Sequence, residues 1–351
     1  MKIVHILPEL QIGGVERHVI DLANELAKRG HEVMVISAGG RMERQLDAKV
    51  LVRHLPVHKK NPLTGLYSAA KIARWVKNEN WQILHAHSRV PAWIANWAGK
   101  KSGVPYVVTA HVDFGTKTPW IYAPYRGANR VICVSAAVQS AMKDCFYDNT
   151  TVIINGLKEP KERWDPENSA QNKLLFVGRL SSVKGLQDVL RAIPADVRWT
   201  LNILGDGPQR AEWQNICKER RLEDRVTFHG YSEQVEHFMA TSSCLLFPSY
   251  TEGMPLTLAQ AAQVGIPVLA SDIRPVFEMK GNRTGLIPPG DLTFWRQVLE
   301  DCLAHRKEPE RFPRDCVPTL EHMVDQVADV YASVLKTPGK NSSESYQGNV
   351  E

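Results

Sequence analysis

Residues 247–272 read FPSYTEGMPLTLAQAAQVGIPVLASD, and the order of residue types there decides the fold. The apolar run SCLLF ends at Phe247, and a polar loop then presents Glu252 and Gly253. Pro255 opens a helical run, and PVLASD follows as a second β-like run. Strand, loop, helix and strand in that order make one unit of a parallel α/β sheet. The same alternation continues in both directions. KLLFVGRL, TLNILGDG and RVTFHGY precede this unit, and KIVHIL, EVMVIS, ILHAH, YVVTAH, RVICVS and TVIIN form an earlier series. After KIVHIL comes a GlyGly turn, then Val15, Val19, Leu22, Ala23 and Leu26 spaced along one helical face. Lys28 and Arg29 suit the last turn of that helix, and Gly30 its stop.

One stretch breaks the rhythm. LKEPKERWDPENSAQNK, from Leu157 to Lys173, is polar, holds two prolines and has no apolar period, so it reads as an interdomain linker. The chain of 351 residues therefore divides into an N-terminal Rossmann-like domain, 1–160, and a C-terminal one, 161–336. An amphipathic helix from about Leu320 to Lys336 ends the second. The tail 337–351, TPGKNSSESYQGNVE, is small and polar and is expected to be disordered. Ligands of such sheets bind beyond the carboxyl ends of the strands, which here means a cleft between two domains.

Composition narrows the function classes. Hydrophobic residues make up 43% and charged residues 23%, as in ordinary globular chains. No apolar run is long enough for a spanning helix, and MKIVHILPEL reads as a first strand, not a signal peptide. A cytoplasmic protein is expected. Cysteines 133, 145, 217, 244, 302 and 316 show neither C-x-x-C pairs nor zinc-like histidine spacing, so reduced thiols and no metal are expected. The net charge of +5 is unevenly placed: 21 Lys+Arg stand against 12 Asp+Glu through Pro160, and 22 against 26 afterwards. A basic first half suits an anionic membrane surface or a phosphorylated substrate, and equally a solvated surface with no partner. No nucleic-acid-binding motif accompanies it, so nucleic acid is not an expected partner.

The chemistry concentrates at strand ends. In FVGRLSSVKG, Arg179 follows a strand and Lys184 stands five residues on, at a helix start. A planar guanidinium, a compact ammonium and helix amides together suit a diphosphate. Alone, such a pair is as often a solvated loop. In ILGDGP, Gly205 and Gly207 permit close backbone approach, although Gly-Asp-Gly is good turn chemistry anywhere. Amides after Gly253 can receive phosphate, and the Glu252 carboxylate can accept hydrogen bonds from sugar hydroxyls.

Together GRLSSVKG, GDGP and EGMPLTLAQAAQVGIPVLASD resemble, in order and spacing, the retaining glycosyltransferases of family 4. The first half adds the turn at Gly13 and Gly14, HAH at His85 to His87, TAH ending at His111, and NG at Asn155 and Gly156. The likeness runs from Met1 to about residue 335. It implies a GT-B fold, two Rossmann-like domains facing across a cleft, with the C-terminal helix returning to the first. It implies a nucleotide-sugar donor, UDP- or GDP-linked, and transfer with retention to a glycan or lipid-linked saccharide. Surface polysaccharide or lipopolysaccharide synthesis at the inner face of the cytoplasmic membrane is the expected setting. By the resemblance, Gly13 and Gly14 approach the diphosphate from one side, and Arg179 and Lys184 hold it from the other. Glu252 holds the sugar, amides of Gly253, Met254, Pro255 and Leu256 line the sugar and phosphate, and His111 stands near the anomeric carbon. (Pro255 itself has no N–H to offer.) No metal or other cofactor is implied, and no Asp-x-Asp occurs.

Two departures stand out. The family commonly places a second glutamate eight residues after the first, where it binds the ribose; here that position is Gln260. An amide can bond a hydroxyl but without the charge that strengthens the bond. Lys158 stands where an acid often follows NG. Other readings of the same fold are a catalytically silent nucleotide-sugar binder, which Gln260 favours, and an epimerase or phosphorylase. The loops HKKNP (58–62) and FGTKTPWIYAPYR (114–126) could contact acceptor sugars or lipid headgroups.

Overall fold

A computed structural model describes residues 1–111, 119–143, 145 and 149–336. Residues 114–118 of the aromatic-rich loop and the tail 337–351 lie outside the described residues. The strands form two sheets. The first holds β1 (Lys2–Ile6), β2 (Glu32–Ser37), β3 (Leu51–His54), β4 (Ile83–Ala86), β5 (Tyr106–Ala110), β6 (Arg130–Cys133) and β7 (Thr150–Val152) in the order β3-β2-β1-β4-β5-β6-β7. The second holds β8 (Lys173–Val177), β9 (Thr200–Leu204), β10 (Val226–Gly230), β11 (Cys244–Phe247) and β12 (Val268–Ala270) in the order β10-β9-β8-β11-β12. Every pairing is parallel. This is the expected pair of Rossmann-like sheets.

Parallel strands covered on both faces must be apolar along their length, and β1 shows how the residues divide. Ile3 packs with Val33, Val35 and the buried face of helix α1 (Gly14–Lys28), namely Val19, Leu22, Ala23 and Leu26. Val4 and Ile6 face the other way, toward Ile72, Ala73 and Val76 of helix α2 (Pro62–Asn78) and Ala95 of helix α3 (Arg89–Ser102). The strand β3 is not evident from the sequence. Its LVRH lies at the sheet edge, only partly covered, so the apolar signal is weak.

The amphipathic helix Leu320–Lys336, counted by sequence within 161–336, packs on the first sheet. Leu320, Met323, Val324, Val327, Tyr331 and Val334 join the α1 side of that core. Arg29 ties the helix to α1 through Asp325 Oδ1 at 2.5 Å and the Glu321 carbonyl at 3.0 Å. The Tyr331 hydroxyl stands 2.6 Å from His85 Nδ1, inside the core. The segment after Leu157 also anchors itself: the Trp164 indole donates to the Ser242 carbonyl at 2.7 Å.

Candidate active site

In each sheet, successive strands first run outward one way and then restart on the other side. The two strands flanking that reversal send their following loops apart, leaving a crevice at their carboxyl ends. In the second sheet the reversal lies between β8 and β11. The loop after β8 carries Arg179 and Lys184, and the loop after β11 carries Glu252. Residues 68 apart in sequence therefore meet: Lys184 Nζ is 2.6 Å from Glu252 Oε1, and the Ser249 hydroxyl donates to the same oxygen at 2.7 Å. Both charged side chains are largely covered, while Arg179 is exposed. Lys184 lies in a 3-10 turn, and the helix after it spans only Leu186–Ala192.

The glycines of GDGP do something other than face a ligand. A Cβ at Gly205 would stand 1.9 Å from the Gly178 carbonyl oxygen, and one at Gly207 would stand 2.4 Å from the Leu180 oxygen. The close approach they allow is to the protein's own chain, where they support the loop that carries Arg179. Gly205 also has φ of 130°, which a side chain would strain.

In the first sheet the reversal lies between β1 and β4. Gly13 and Gly14 follow β1 and open α1, whose first turn leaves backbone amides without helical partners. A methyl group at Gly14 would stand 3.1 Å from Leu256 Cδ1, so this helix start confronts the helix Leu256–Val264 of the second domain across the cleft. Gly253, Met254 and Pro255 are buried before that helix, and the Gly253 carbonyl accepts from the Ser135 hydroxyl of the first domain at 2.8 Å. Gln260 lies one helical turn beyond Leu256, half-buried.

Sequence reasoning missed Glu16. Its carboxylate folds back over the α1 start, where a Cβ at Gly13 would meet Oε2 at 2.3 Å, and it accepts from its own backbone N–H. Burial raises its pKa above the usual carboxylate value, against the lowering effects of that N–H and of Arg179 across the cleft, while Glu9 adds to the rise. The only signal in sequence was its place two residues after Gly14.

The sequence reading named His85, His87 and His111, but not that they join His5 and His18 in one buried cluster. His111 follows β5 and is 7% exposed; its Nε2 is 3.2 Å from His87 Nδ1. His87 Nε2 is 3.0 Å from His5 Nδ1. His85, opposite His5 in register, reaches Thr109 Oγ1 at 2.7 Å. His18 of α1 stacks its edge on His111, ring centroids 5.0 Å apart. Burial lowers all five pKa values, His5 to about 3 and His18 to about 4. Nitrogens of His18, His87 and His111 lie within 4.8 Å of one another, as do those of His5, His85 and His87, so either trio offers ligands to a metal ion. The spacing in sequence gave no hint of this, because the histidines come from four separate elements.

Comparison with known proteins agrees with this architecture. Residues 12–159 match the model of Glycosyltransferase Family 4, and residues 158–313 that of Glycosyl transferases group 1. With two such domains, the chain belongs to the GT-B glycosyltransferases. It is 24% identical over 365 residues to the N-acetyl-alpha-D-glucosaminyl L-malate synthase of Bacillus anthracis, across 93% of this chain and 95% of that protein. It is 25% identical over 248 residues to the lipopolysaccharide 1,6-galactosyltransferase of Escherichia coli K12, across 66% of this chain and 68% of that protein. Anabaena HepE, solved with UDP-glucose, shares the fold at a TM-score of 0.80 and 20% identity, across 95% of this chain and 100% of that one.

Proposed function

We propose that the chain transfers a hexosyl group from a nucleoside-diphosphate sugar, UDP- or GDP-linked, to a glycan or lipid-linked saccharide, with retention of anomeric configuration. The observation that carries this is the meeting of Lys184 and Glu252 at 2.6 Å at the reversal of the second sheet, with the α1 start opposite. Arg179 and Lys184 neutralise the diphosphate from one side, and the amides at Gly13 and Gly14 from the other. Side-chain cations and helix amides thus take the role a metal has elsewhere. Glu252 releases Lys184 to the phosphate and accepts hydrogen bonds from the sugar. Its ties to Lys184 and Ser249 suit an orienting acid better than a nucleophile. The bond from the anomeric carbon to the diphosphate oxygen breaks, the acceptor oxygen bonds to the same face, and the acceptor's proton leaves with the diphosphate.

The acceptor reading extends to an anionic membrane. Leu63, Leu66 and Tyr67 of α2 are exposed, Leu63 by 77%; Lys100 and Lys101 line one groove with Leu66 and Tyr67, Lys71 lies over the Tyr67 ring, and exposed Lys59 and Lys60 precede the helix. Apolar side chains beside lysines suit insertion among acidic headgroups, a peripheral role in lipopolysaccharide or polysaccharide synthesis. No helix among the described residues is long and apolar enough to cross a membrane. The deciding experiment is a thermal-shift screen of nucleoside diphosphates and their sugars, since a ligand that binds the folded state raises the melting temperature. Transfer assays with the donors that bind follow. Binding without transfer or hydrolysis on a broad acceptor panel would instead favour the silent binder.

A further inference from the structure

The rings of His5, His87 and His111 form one continuous hydrogen-bonded line, and its ends are unlike. Links of 3.0 Å and 3.2 Å join His5 Nδ1 to His87 Nε2 and His87 Nδ1 to His111 Nε2. Each link needs one N–H and one lone pair. A neutral imidazole has one of each. Buried together, with no carboxylate among their hydrogen-bond partners in the described residues, the three rings are neutral imidazoles. Only two proton arrangements then satisfy both links. In one, every N–H points toward His111: His5 donates from Nδ1, His87 donates from Nδ1, and His111 carries its proton on Nδ1. In the other, every N–H points away, and His5 must carry its proton on Nε2.

His5 Nε2 decides between them. It is buried and has no hydrogen-bond partner among the described residues. The second arrangement would bury an orphaned N–H there, whereas the first leaves only a lone pair unused. Buried donors without acceptors are the rarer and costlier case. His18 does not change the count. Its ring nitrogens make no hydrogen bond of normal length among the described residues, and it meets the ring of His111 edgewise and that of His87 at a tilt.

We propose that His5 and His87 are positioning residues that hold His111 as its Nδ1–H tautomer, so that His111 meets the transferred sugar as a hydrogen-bond donor and not as a base. The part concerning the sugar rests on the proposed place of His111 beside the anomeric carbon; the tautomer itself does not. A donor there stabilises oxygen-centred negative charge without having to give up its proton.

The test uses the full chain labelled with ring-15N histidine at neutral pH, with His111 assigned by the signal lost in His111→Gln. The expected spectrum shows His111 protonated at Nδ1 and bare at Nε2. Replacing His87 by Leu removes the donor, so His111 should populate both tautomers and kcat should fall by about tenfold with little change in donor KM. His87→Asn restores an N–H near the Nδ1 position and should recover most of both. A wild-type spectrum with the proton on Nε2, or with a metal ion bound to the ring, overturns the proposal. So does an unchanged kcat in a folded His87→Leu whose His111 tautomer has changed. If the tautomer is as stated but His111→Gln keeps full turnover, the chain of rings stands and the placement of His111 at the sugar fails.

Discussion

Lys184 sits on the Glu252 carboxylate, so in the proposed reaction the diphosphate must draw it away before it serves the leaving group. Lys184→Ala and Arg179→Ala should each lower turnover about ten- to a thousandfold, the range for losing a charge contact made in the transition state. The double variant should lose less than the product, because in the proposed cradle both cations act on one leaving group. Near-wild-type turnover in either single variant removes the cradle. Gln260 poses a separate question. It shares a helical face with Leu256, and with its side chain at the ribose as the family likeness implies, Gln260→Glu should tighten nucleoside-diphosphate binding by about 1 kcal/mol, the gap between a charged and a neutral hydrogen bond. Calorimetry measures that, and about a fivefold fall in Kd is expected. Glu252→Gln should cut turnover more than it weakens binding of the nucleotide alone. If it abolishes nucleotide binding while Gln260→Glu changes nothing, the sugar and ribose assignments must be exchanged. The cations and Glu252 were legible because each stands in a short motif at a strand end. Glu16 was not, since nothing in GGVER reveals that its side chain turns back over Gly13.

At the scale of elements, periodicity served where one face of a helix is buried. Val19, Leu22, Ala23 and Leu26 of α1 are all in the core, and the stop at Gly30 has the positive φ (83°) that its place after Arg29 implied. Periodicity failed for β3, a partly covered edge, and for the histidine cluster, which parallel pairing assembles from β1, α1 and the ends of β4 and β5. The exposed face of α2 is an element-scale feature too. If it enters an anionic bilayer, binding to phosphatidylglycerol-containing vesicles should weaken with salt, because the screening length is about 8 Å at physiological strength. Each lysine near the surface contributes about 1 kcal/mol, so charge reversal at Lys59 and Lys60 should weaken binding by tenfold or more, on the order of their lost attraction. Leu63→Ser should weaken it further while preserving the salt slope. Co-sedimentation measures all three. Salt-independent or absent binding removes the membrane role and leaves a solvated basic face.

The whole molecule is held together by a helix that leaves the second domain and completes the core of the first. The hydroxyl of its Tyr331 lies against His85, so the histidine cluster is also part of what docks this helix. That makes acid a threat to the fold as well as to the site. His5, His18, His85, His87 and His111 all have folded-state pKa values depressed by burial, the two with values lying near 3 and 4. In the unfolded chain each would titrate near its ordinary value of about 6.5. Above that value both states are neutral at these positions and the stability is fully present. Below it the unfolded chain binds five protons that the folded one refuses, until pH approaches the depressed values. Each such proton removes about 1.4 kcal/mol per pH unit, so the rings at about 3 and 4 alone remove roughly 3, and the other three act in the same direction. The melting temperature should therefore hold between about pH 8 and 7 and fall steeply below pH 6. Urea midpoints at stepped pH give the proton uptake directly from the slope. His18→Gln, which removes one titrating ring at the helix that meets His111, should lower that slope by about one proton. Stability that stays level from pH 7 to 5 would mean the cluster is charged or hydrated in the folded protein, and the line of neutral rings would fall with it.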